Sequence, residues 1–288
     1  MNKNYISNSQ VSKYNSCPLN YKLSYIDKLG KFSGSIFTIF GTAFHETLQL
    51  YLDTLFNKSV KMANLLSLED ELMEFMKKEY LKAKEANSGE DICKLDDIKE
   101  FYTDGLEILD YFKKHRSKYF STREWELLEI EQELLTPITD KINFKGYLDV
   151  VLKNKQTGKI KIIDIKTSWG GWKDKKKKEL STRMQLIFYK NYYSQQFNIP
   201  LDNIEIEYFI VKRKVYDGGD WIIPRIQLFI PPSSKRTTDK YVKLITEMAE
   251  NVFDKDGNRI DKEYSSNKST ESCKYCEFKK TKHCSAWK

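Results

Sequence analysis

The chain has 288 residues and a formal net charge of +8, from 49 Lys and Arg against 41 Asp and Glu. Hydrophobic residues make up 40% and aromatic residues 14%, which excludes an intrinsically disordered protein because such side chains need burial. No apolar run reaches the roughly 18–20 residues of a membrane span, and no apolar stretch of signal-peptide type opens the sequence. A protein of the bacterial cytosol is therefore expected, with a phage or mobile-element origin left open. The basic excess fits a polyanionic partner and a compositional bias equally well.

The N-terminal part of the sequence predicts helices. Ser7 or Ser9 is expected to cap a short helix that ends before Cys17-Pro18. Residues 30–41 contain three glycines and are expected to form a loop. Further helices are predicted, from Pro18 or from the spacing of apolar residues, over 19–28, 42–56, 67–86 and 97–118.

Alternation replaces helical spacing in the middle of the chain, and polar turns separate the alternating runs. Strands are predicted over 124–135, 141–152, 159–166, 204–212 and 222–231, and helices over 180–197 and 234–253. This order suits one mixed-sheet α/β domain over residues 1–288. Its expected parts are N-terminal helices over 1–56, a helical insertion over 57–120, a core over 121–254 and a Cys-rich tail over 255–288.

Two of the predicted strands bring carboxylates together. Residues two apart share a face of a strand, so Asp164 and Lys166 point the same way. The turn between the strands is centred near Gln156, which places Asp149 almost opposite Asp164. Neighbouring carboxylates repel unless a cation joins them, and hard oxygen ligands suit Mg²⁺ or Mn²⁺. With a lysine that polarises a phosphate or orients a water, this group is typical of phosphodiester hydrolysis.

Each of these signals has an ordinary alternative. Asp164 and Lys166 could form an ion pair on a solvated strand face, although the four isoleucines between residues 160 and 165 indicate a buried strand. Gln185 and Tyr189 lie four residues apart on one helix face, as in any amphipathic helix. A lone histidine such as His45, at the start of a helix, is more often structural than a ligand.

Together the motifs resemble those of the PD-(D/E)XK nuclease superfamily, specifically its RecB-like branch. They occur in the expected order as Gly-Thr-x-x-His (41–45), Gly-Tyr-x-Asp (146–149), Asp-x-Lys-Thr (164–167) and Gln-x-x-x-Tyr (185–189). The resemblance implies a restriction-endonuclease-like mixed central sheet flanked by helices. It also implies metal-dependent cleavage of DNA by an exonuclease on single strands or duplex ends, in recombination, repair or phage replication.

The resemblance also implies roles for individual residues. His45, Asp149, Asp164 and the carbonyl of Ile165 would bind the divalent metal, and Lys166 would be the catalytic lysine. Gln185 and Tyr189 would position DNA or the active-site side chains. Glu131 or Glu133, on the preceding strand, would assist, and the alternation does not choose between them.

Four of the five cysteines fit a second pattern. Cys273 and Cys276 form a Cys-x-x-Cys, and Cys284 follows after seven residues. Three thiolates are too few for a closed tetrahedral site. Members of the RecB-like branch that bind an iron–sulfur cluster take one cysteine before the nuclease core and three after it, so the resemblance implies a [4Fe–4S] cluster on Cys17, Cys273, Cys276 and Cys284. A structural Zn²⁺ site on Cys273, Cys276, His283 and Cys284 is the alternative, and Cys93 is expected to be an ordinary thiol.

A basic and aromatic segment directly follows Lys166. Its side chains offer stacking faces and phosphate contacts for DNA, and they are Trp169, Trp172, Lys173 and Lys175. A solvated charge run is the alternative. No helicase P-loop is present in the sequence, so a helicase or recombination partner would be a separate chain. The competing functions are a silent DNA-binding module or helicase subunit and a zinc-stapled RNA-binding or structural protein, and an oligomer is compatible with each of them.

Overall fold

A six-stranded mixed sheet lies between two groups of helices in the computed structural model, which describes residues 4–30, 34–216 and 223–284. The strands are β1 (Asn4–Ser7), β2 (Trp125–Pro137), β3 (Ile142–Asn154), β4 (Ile160–Ser168), β5 (Ile204–Lys212) and β6 (Ile226–Phe229). The helices are α1 (Asn8–Ser16), α2 (Pro18–Tyr21), α3 (Ile36–Asn57), α4 (Val60–Leu65), α5 (Leu68–Ala86), α6 (Leu95–Tyr119), α7 (Asp174–Lys178), α8 (Leu180–Phe197) and α9 (Lys235–Val252). No helix among the described residues is both long and apolar enough to cross a bilayer.

The sheet combines parallel and antiparallel pairs around β3. The strand order is β1-β3-β4-β5-β6, in which β1 and β4 pair with different parts of one edge of β3. β2 pairs with the opposite edge of β3. β1 is parallel to β3 and β4 to β5, while the pairs β2–β3, β3–β4 and β5–β6 are antiparallel. The mixed central sheet flanked by helices that the sequence predicts is therefore confirmed.

Each face of the sheet buries its own apolar cluster. Strand β4 shows why, since Ile162 packs with α8 and α9 on one face, whereas Ile163 and Ile165 pack with α3 and α6 on the other. A strand that is apolar on both faces must lie in the middle of a covered sheet. The acidic and basic side chains at the end of β4 are consequently held between two packed layers.

The prediction of a loop over residues 30–41 is wrong for the second half of this range. Helix α3 already begins at Ile36, where Ser35 and Thr38 form a reciprocal capping box. Gly41 lies inside this helix, and a Cβ at that position would be 3.4 Å from Thr167 Oγ1 of β4. Helix α3 therefore passes close to β4 at Gly41, which lies in the helix and not in a turn, although a Cβ there would make only an ordinary van der Waals contact.

Short elements account for the other differences. β1, α4 and α7 have no counterpart among the predicted elements, because four to six residues are too few to show a period. The helix expected over 19–28 is α2 followed by a π-helical turn, Lys22–Ile26. Helices α4, α5 and α6 fill the segment expected to be a helical insertion, but the division of the chain into four parts stays a prediction.

A buried ion cluster fixes α6 to the end of β5, and it gives a prediction about stability. Asp104 accepts hydrogen bonds from Arg213 and Lys214, each at 2.7 Å, and the Arg213 guanidinium lies 3.5 Å from the centre of the Phe101 ring. Asp104 and Arg213 are both buried. Replacing Asp104 with Ala leaves a buried guanidinium without its main partner, so urea denaturation should show a loss of about 3 kcal/mol in unfolding free energy.

Asp110 provides a matched control on the same helix. Its carboxylate pairs with Lys114 at 2.7 Å, with both side chains exposed. An exposed pair of this kind contributes little, so Asp110→Ala should change the unfolding free energy by less than about 0.5 kcal/mol. Equal losses in the two variants would show that the buried cluster does not hold α6 in place.

Candidate active site

The two carboxylates lie where β3 and β4 separate. The antiparallel ladder between these strands ends at Val150 and Ile163, and the next position in the same register places Asp149 opposite Asp164. On the same edge of β3, pairing with β1 ends at Lys145. The edge of β3 is therefore open between its two neighbours, and the site lies in this notch.

Asp164 is held by contacts on both carboxylate oxygens. Its side chain is only 1% exposed, and Lys166 Nζ lies 2.5 Å from Oδ2. The amide of Gln185, from α8, donates to Asp164 Oδ1 at 2.9 Å and contacts the Tyr189 hydroxyl at 3.0 Å. The structure thus brings together four of the residues singled out in the sequence.

Asp149 is oriented by the backbone of β4 and by α3. Its Oδ2 accepts a hydrogen bond from the Ile165 N–H at 2.6 Å and lies 3.6 Å from His45 Nδ1. The imidazole of His45 also hydrogen-bonds the backbone of Ile165. Helix α3 therefore delivers His45 to the same notch as the two carboxylates.

Glu131 and Gln49 complete the site. The sequence pointed to Glu131 as one of two candidate glutamates and did not point to Gln49. The amide of Gln49, on α3, donates to Glu131 Oε1 at 2.6 Å and to the Asp149 carbonyl at 3.2 Å. Glu131 has a left-handed backbone, with φ of 54°. Glu133 instead pairs with Lys145 at 3.1 Å on the exposed sheet surface. Of the two glutamates that the alternation left open, Glu131 is the one beside Asp149.

Burial and neighbouring charges shift the pKa values of Asp149, Asp164, Lys166 and His45. Burial raises the pKa of Asp149 and of Asp164 to about 6, although Lys166 opposes the shift. Burial alone would lower the pKa of Lys166, but the two carboxylates outweigh it and the pKa is raised. Burial, and then the charge of Lys166, lowers the pKa of His45 to about 4. Since Lys166 keeps 31% of its side chain exposed, these groups line a cleft and not a sealed core.

The donor atoms suit a hard divalent cation in kind. Asp164 Oδ2 is buried and contacts the Lys166 ammonium at 2.5 Å, so a cation bound to this oxygen would share it with the ammonium or displace it. Two carboxylates, an imidazole and a nearby peptide carbonyl are oxygen and nitrogen ligands of the type that Mg²⁺ and Mn²⁺ accept. Within the described ranges, however, no three His, Cys, Asp or Glu side chains are gathered closely enough to hold a metal as they stand. The residues fit a metal in chemistry, and Lys166 supplies the counter-charge.

A family comparison decides what this arrangement belongs to. Residues 5–281 match the model of the PD-(D/E)XK nuclease superfamily. The chain belongs to the PD-(D/E)XK nuclease superfamily. Its mixed sheet, flanked by helices and opened at the acidic notch, is the restriction-endonuclease-like architecture of that superfamily.

Solved structures and curated proteins were also compared with this PD-(D/E)XK chain. A crystal structure from Eubacterium rectale, named "Putative exonuclease", is 14% identical, with a TM-score of 0.49 over 86% of this chain and 79% of that one. A crystal structure of SSO0001 is 17% identical, with a TM-score of 0.33 over 90% of this chain and 91% of that one. No curated protein matches the sequence.

The PD-(D/E)XK domain brings four cysteines to one small pocket between α2 and the C-terminal tail. They are Cys17, Cys273, Cys276 and Cys284. The Asn267 backbone N–H donates to Cys17 Sγ at 3.4 Å, and the Asn20 amide donates to Cys276 Sγ at 3.5 Å. Burial raises the pKa of Cys276, to which the neighbouring Cys17 and Cys273 also contribute. Within the described residues, no three of these thiols are gathered closely enough to hold a metal as they stand.

The basic segment after β4 divides into exposed and packed residues. Trp169 is 69% exposed, whereas Trp172 packs edge-on against Tyr208, with ring centres 4.8 Å apart. Lys173 caps α7, and Lys175 reaches Glu271 at 3.4 Å on the surface. Of the two tryptophans in this segment, Trp169 is the one whose ring is exposed.

The raised pKa of Asp164 makes a prediction about pH for the metal-free protein. The unfolded carboxyl has its ordinary pKa near 3.8 and the folded one about 6, so between these values the folded state binds the proton more tightly. Stability is therefore lost as pH rises through this window. Asp164→Asn lacks this loss, and its unfolding free energy relative to wild type, measured by urea denaturation in EDTA, should rise by about 1–3 kcal/mol between pH 4 and pH 7. A difference that stays constant across this range would contradict the raised pKa.

Proposed function

We propose that the chain is a metal-dependent deoxyribonuclease of the RecB-like branch, an exonuclease that acts on single-stranded DNA or duplex ends. The observation that carries this proposal is the pairing of Lys166 with buried Asp164 at 2.5 Å, directly opposite Asp149. A buried acid, a second acid and an ammonium in one cleft match the needs of phosphodiester hydrolysis, in which negative charge develops on phosphate oxygens.

Four groups of this chain would hold the catalytic Mg²⁺ or Mn²⁺. They are the side chains of His45, Asp149 and Asp164 and the carbonyl of Ile165. When bound, the cation would neutralise the phosphate and lower the pKa of a water ligand. Lys166, whose ammonium contacts Asp164 at 2.5 Å, would face the scissile phosphate and hold the attacking water.

Neighbouring residues would keep these groups in position. The Gln185 amide fixes one oxygen of Asp164 and is itself held against Tyr189. The Ile165 N–H fixes Asp149. Glu131, beside Asp149, adds a third carboxylate whose charge would favour cation binding. Side chains fixed before substrate binds reduce the reorganisation that the reaction requires.

The cysteine pocket is proposed to hold a structural [4Fe–4S] cluster on Cys17, Cys273, Cys276 and Cys284. Support comes from the four thiols that line one pocket and from the N–H groups aimed at two of them. A zinc site that uses His283 in place of Cys17 is the alternative. The cluster would tie the tail to the N-terminal helices, whereas the zinc site would be local to the tail. Neither centre would take part in hydrolysis.

The setting follows from the substrate. DNA is the proposed partner, and a separate helicase or recombination protein would supply unwound strands, because the sequence carries no P-loop of its own. The bacterial cytosol is the proposed location. Trp169, Lys173 and Lys175 would contact DNA beside the cleft, with Trp172 supporting the segment from below.

A nuclease assay tests the proposal. Oligonucleotides labelled at the 5′ or the 3′ end are incubated with Mg²⁺ or Mn²⁺, with EDTA, and with the Asp164→Ala variant. Wild type should degrade the strands only with metal, and Asp164→Ala should leave them intact because it removes a metal ligand. A wild-type protein that retains the labelled DNA uncleaved under every metal condition would be a silent binding module instead.

A further inference from the structure

Two adjoining grooves lead away from the active-site notch along the N-terminal half of β3. The first is lined by Tyr147 of β3 and by Gln185 and Tyr189, which belong to the notch itself. The second is lined by Lys28 and Arg259. Tyr5 and Lys145 line both grooves, so the two form one continuous surface. This surface, called the β3 groove below, is separate from the basic segment after β4.

The β3 groove is positively charged. Lys28, Lys145 and Arg259 line it, and Glu133 is a carboxylate at its rim that accepts from the Tyr147 hydroxyl at 2.9 Å. Lys28 and Arg259 are exposed and have no carboxylate partner among the described residues, and Arg259 donates only to the Tyr21 hydroxyl at 3.1 Å. Lys145 is paired with Glu133 at the rim, an exposed contact that a phosphate can displace at low cost.

Exposed tyrosines alternate with these cations. Tyr5 is 47% and Tyr147 is 44% exposed, although both rings lie on strands of the sheet. The ammonium of Lys145 lies 5.5 Å from the centre of the Tyr5 ring and 5.4 Å from that of Tyr147. Flat aromatic faces beside cations are the two elements by which proteins hold unpaired bases and their phosphates.

We infer that the β3 groove binds a single nucleic-acid strand and guides it to or from the active-site notch. Bases would stack on Tyr5 and Tyr147, and phosphates would contact Lys145, Lys28 and Arg259 in turn. A duplex is a poor fit because its base faces are stacked inside the helix and cannot reach the tyrosine rings. The inference rests on the proposed nuclease function, whose substrate it narrows to an unpaired strand over this part of the surface.

Strand binding tests the inference in EDTA, where the strand stays intact. Fluorescence anisotropy is measured with labelled oligo-dT of about 4 and about 16 nucleotides, the range over which such sites extend. The Lys28→Gln/Arg259→Gln variant should bind the longer strand about tenfold more weakly, and its log–log salt slope should fall by about 1.4, which corresponds to two lost phosphate contacts. The affinity of this variant for the shorter strand should fall by less than about twofold, because the shorter strand does not reach past Tyr5.

Two further variants make the result specific. Tyr147→Leu removes an exposed stacking face and no charge. It should therefore weaken binding of the longer strand by about tenfold and leave the salt slope unchanged. Lys61→Gln/Lys118→Gln removes two exposed cations outside the groove and should leave binding unchanged. Thermal melting of each variant verifies its fold. If the Lys28→Gln/Arg259→Gln variant is unstable, the affinity of Tyr147→Leu for the longer strand tests the groove by itself.

The outcomes separate the groove from the chemistry. The groove assignment would be overturned if the Lys61/Lys118 control lost as much affinity for the longer strand as the groove variants do. It would also be overturned if the groove variants lost as much affinity for a blunt hairpin duplex as for the single strand. Hydrolysis of bis(p-nitrophenyl) phosphate by wild type with Mn²⁺ reports on the notch alone, because this ester is too small to reach Tyr5. No hydrolysis of either substrate would refute the nuclease function, whereas hydrolysis together with unchanged strand affinity in the groove variants would refute only the inference.

Discussion

Replacing Lys166 with Met should abolish metal-dependent DNA cleavage, with a loss of at least about 10³-fold in single-turnover rate. Lys166 is the cation within the notch, and its ammonium contacts Asp164 at 2.5 Å. Met keeps most of the length of the side chain and removes only the charge and the donors. The measurement is single-turnover degradation of a labelled strand at saturating Mn²⁺, so that weakened metal binding does not contribute.

The same substitution should reduce the stability of the metal-free protein. Asp164 is buried, and without Lys166 its carboxylate has no counter-charge, which costs up to about 3–5 kcal/mol in unfolding free energy at pH 8. Asp164→Asn/Lys166→Met removes both charges and should recover most of that loss while remaining inactive.

A lysine on the same strand supplies the control for both effects. Lys161 of β4 lies over the Trp125 ring at 4.6 Å, away from the notch. Lys161→Met should keep cleavage and stability close to those of wild type. If Lys166→Met cleaves DNA within about tenfold of wild type, charge stabilisation by this ammonium is not part of the reaction.

The second large effect concerns the cysteine pocket. Cys17→Ser should release the bound cluster and lower the unfolding free energy by about 3–5 kcal/mol, because the centre closes a loop from residue 17 to residue 273. Anaerobically purified wild type should be brown, with iron and sulfide in the ratio of a [4Fe–4S] centre, and the variant should be colourless. Cys93→Ser is the control, since Cys93 lies outside the pocket and should change neither property.

Two substitutions distinguish the cluster from zinc. The zinc alternative uses His283 and not Cys17, so it predicts that His283→Ala loses the metal and Cys17→Ser keeps it. The cluster predicts the reverse. A colourless wild-type protein with one equivalent of zinc, retained in Cys17→Ser, would overturn the iron assignment.

The sequence predicts the centre of the site well because strand geometry is local. The short turn between β3 and β4 sets their register, which places Asp149 opposite Asp164, and the two-residue repeat puts Lys166 on the same face as Asp164. The four-residue helical spacing likewise brings Gln185 to Tyr189. Such contacts depend on neighbours along the chain or across one tight turn.

The periphery of the site is less predictable because it depends on irregular backbone and on distant packing. Glu131 and Glu133 lie two residues apart on one strand, so alternation cannot choose between them, and the left-handed conformation of Glu131 is visible only in the structure. Gln49 reaches Glu131 only because α3 crosses the sheet close to β4 at Gly41. Cys17 and Cys273 lie at opposite ends of the sequence, and only resemblance to a family could pair them before the fold was known.

The contacts between the N-terminal helices and the tail have a consequence for synthesis on the ribosome. The Leu19 N–H donates to the Ser265 carbonyl at 3.0 Å, and Arg259 donates to the Tyr21 hydroxyl. Helices α1 and α2 are therefore made long before the tail residues that they contact. Until the tail docks, these contacts are missing, and Arg259, which lines the groove beside β1, is not yet in place.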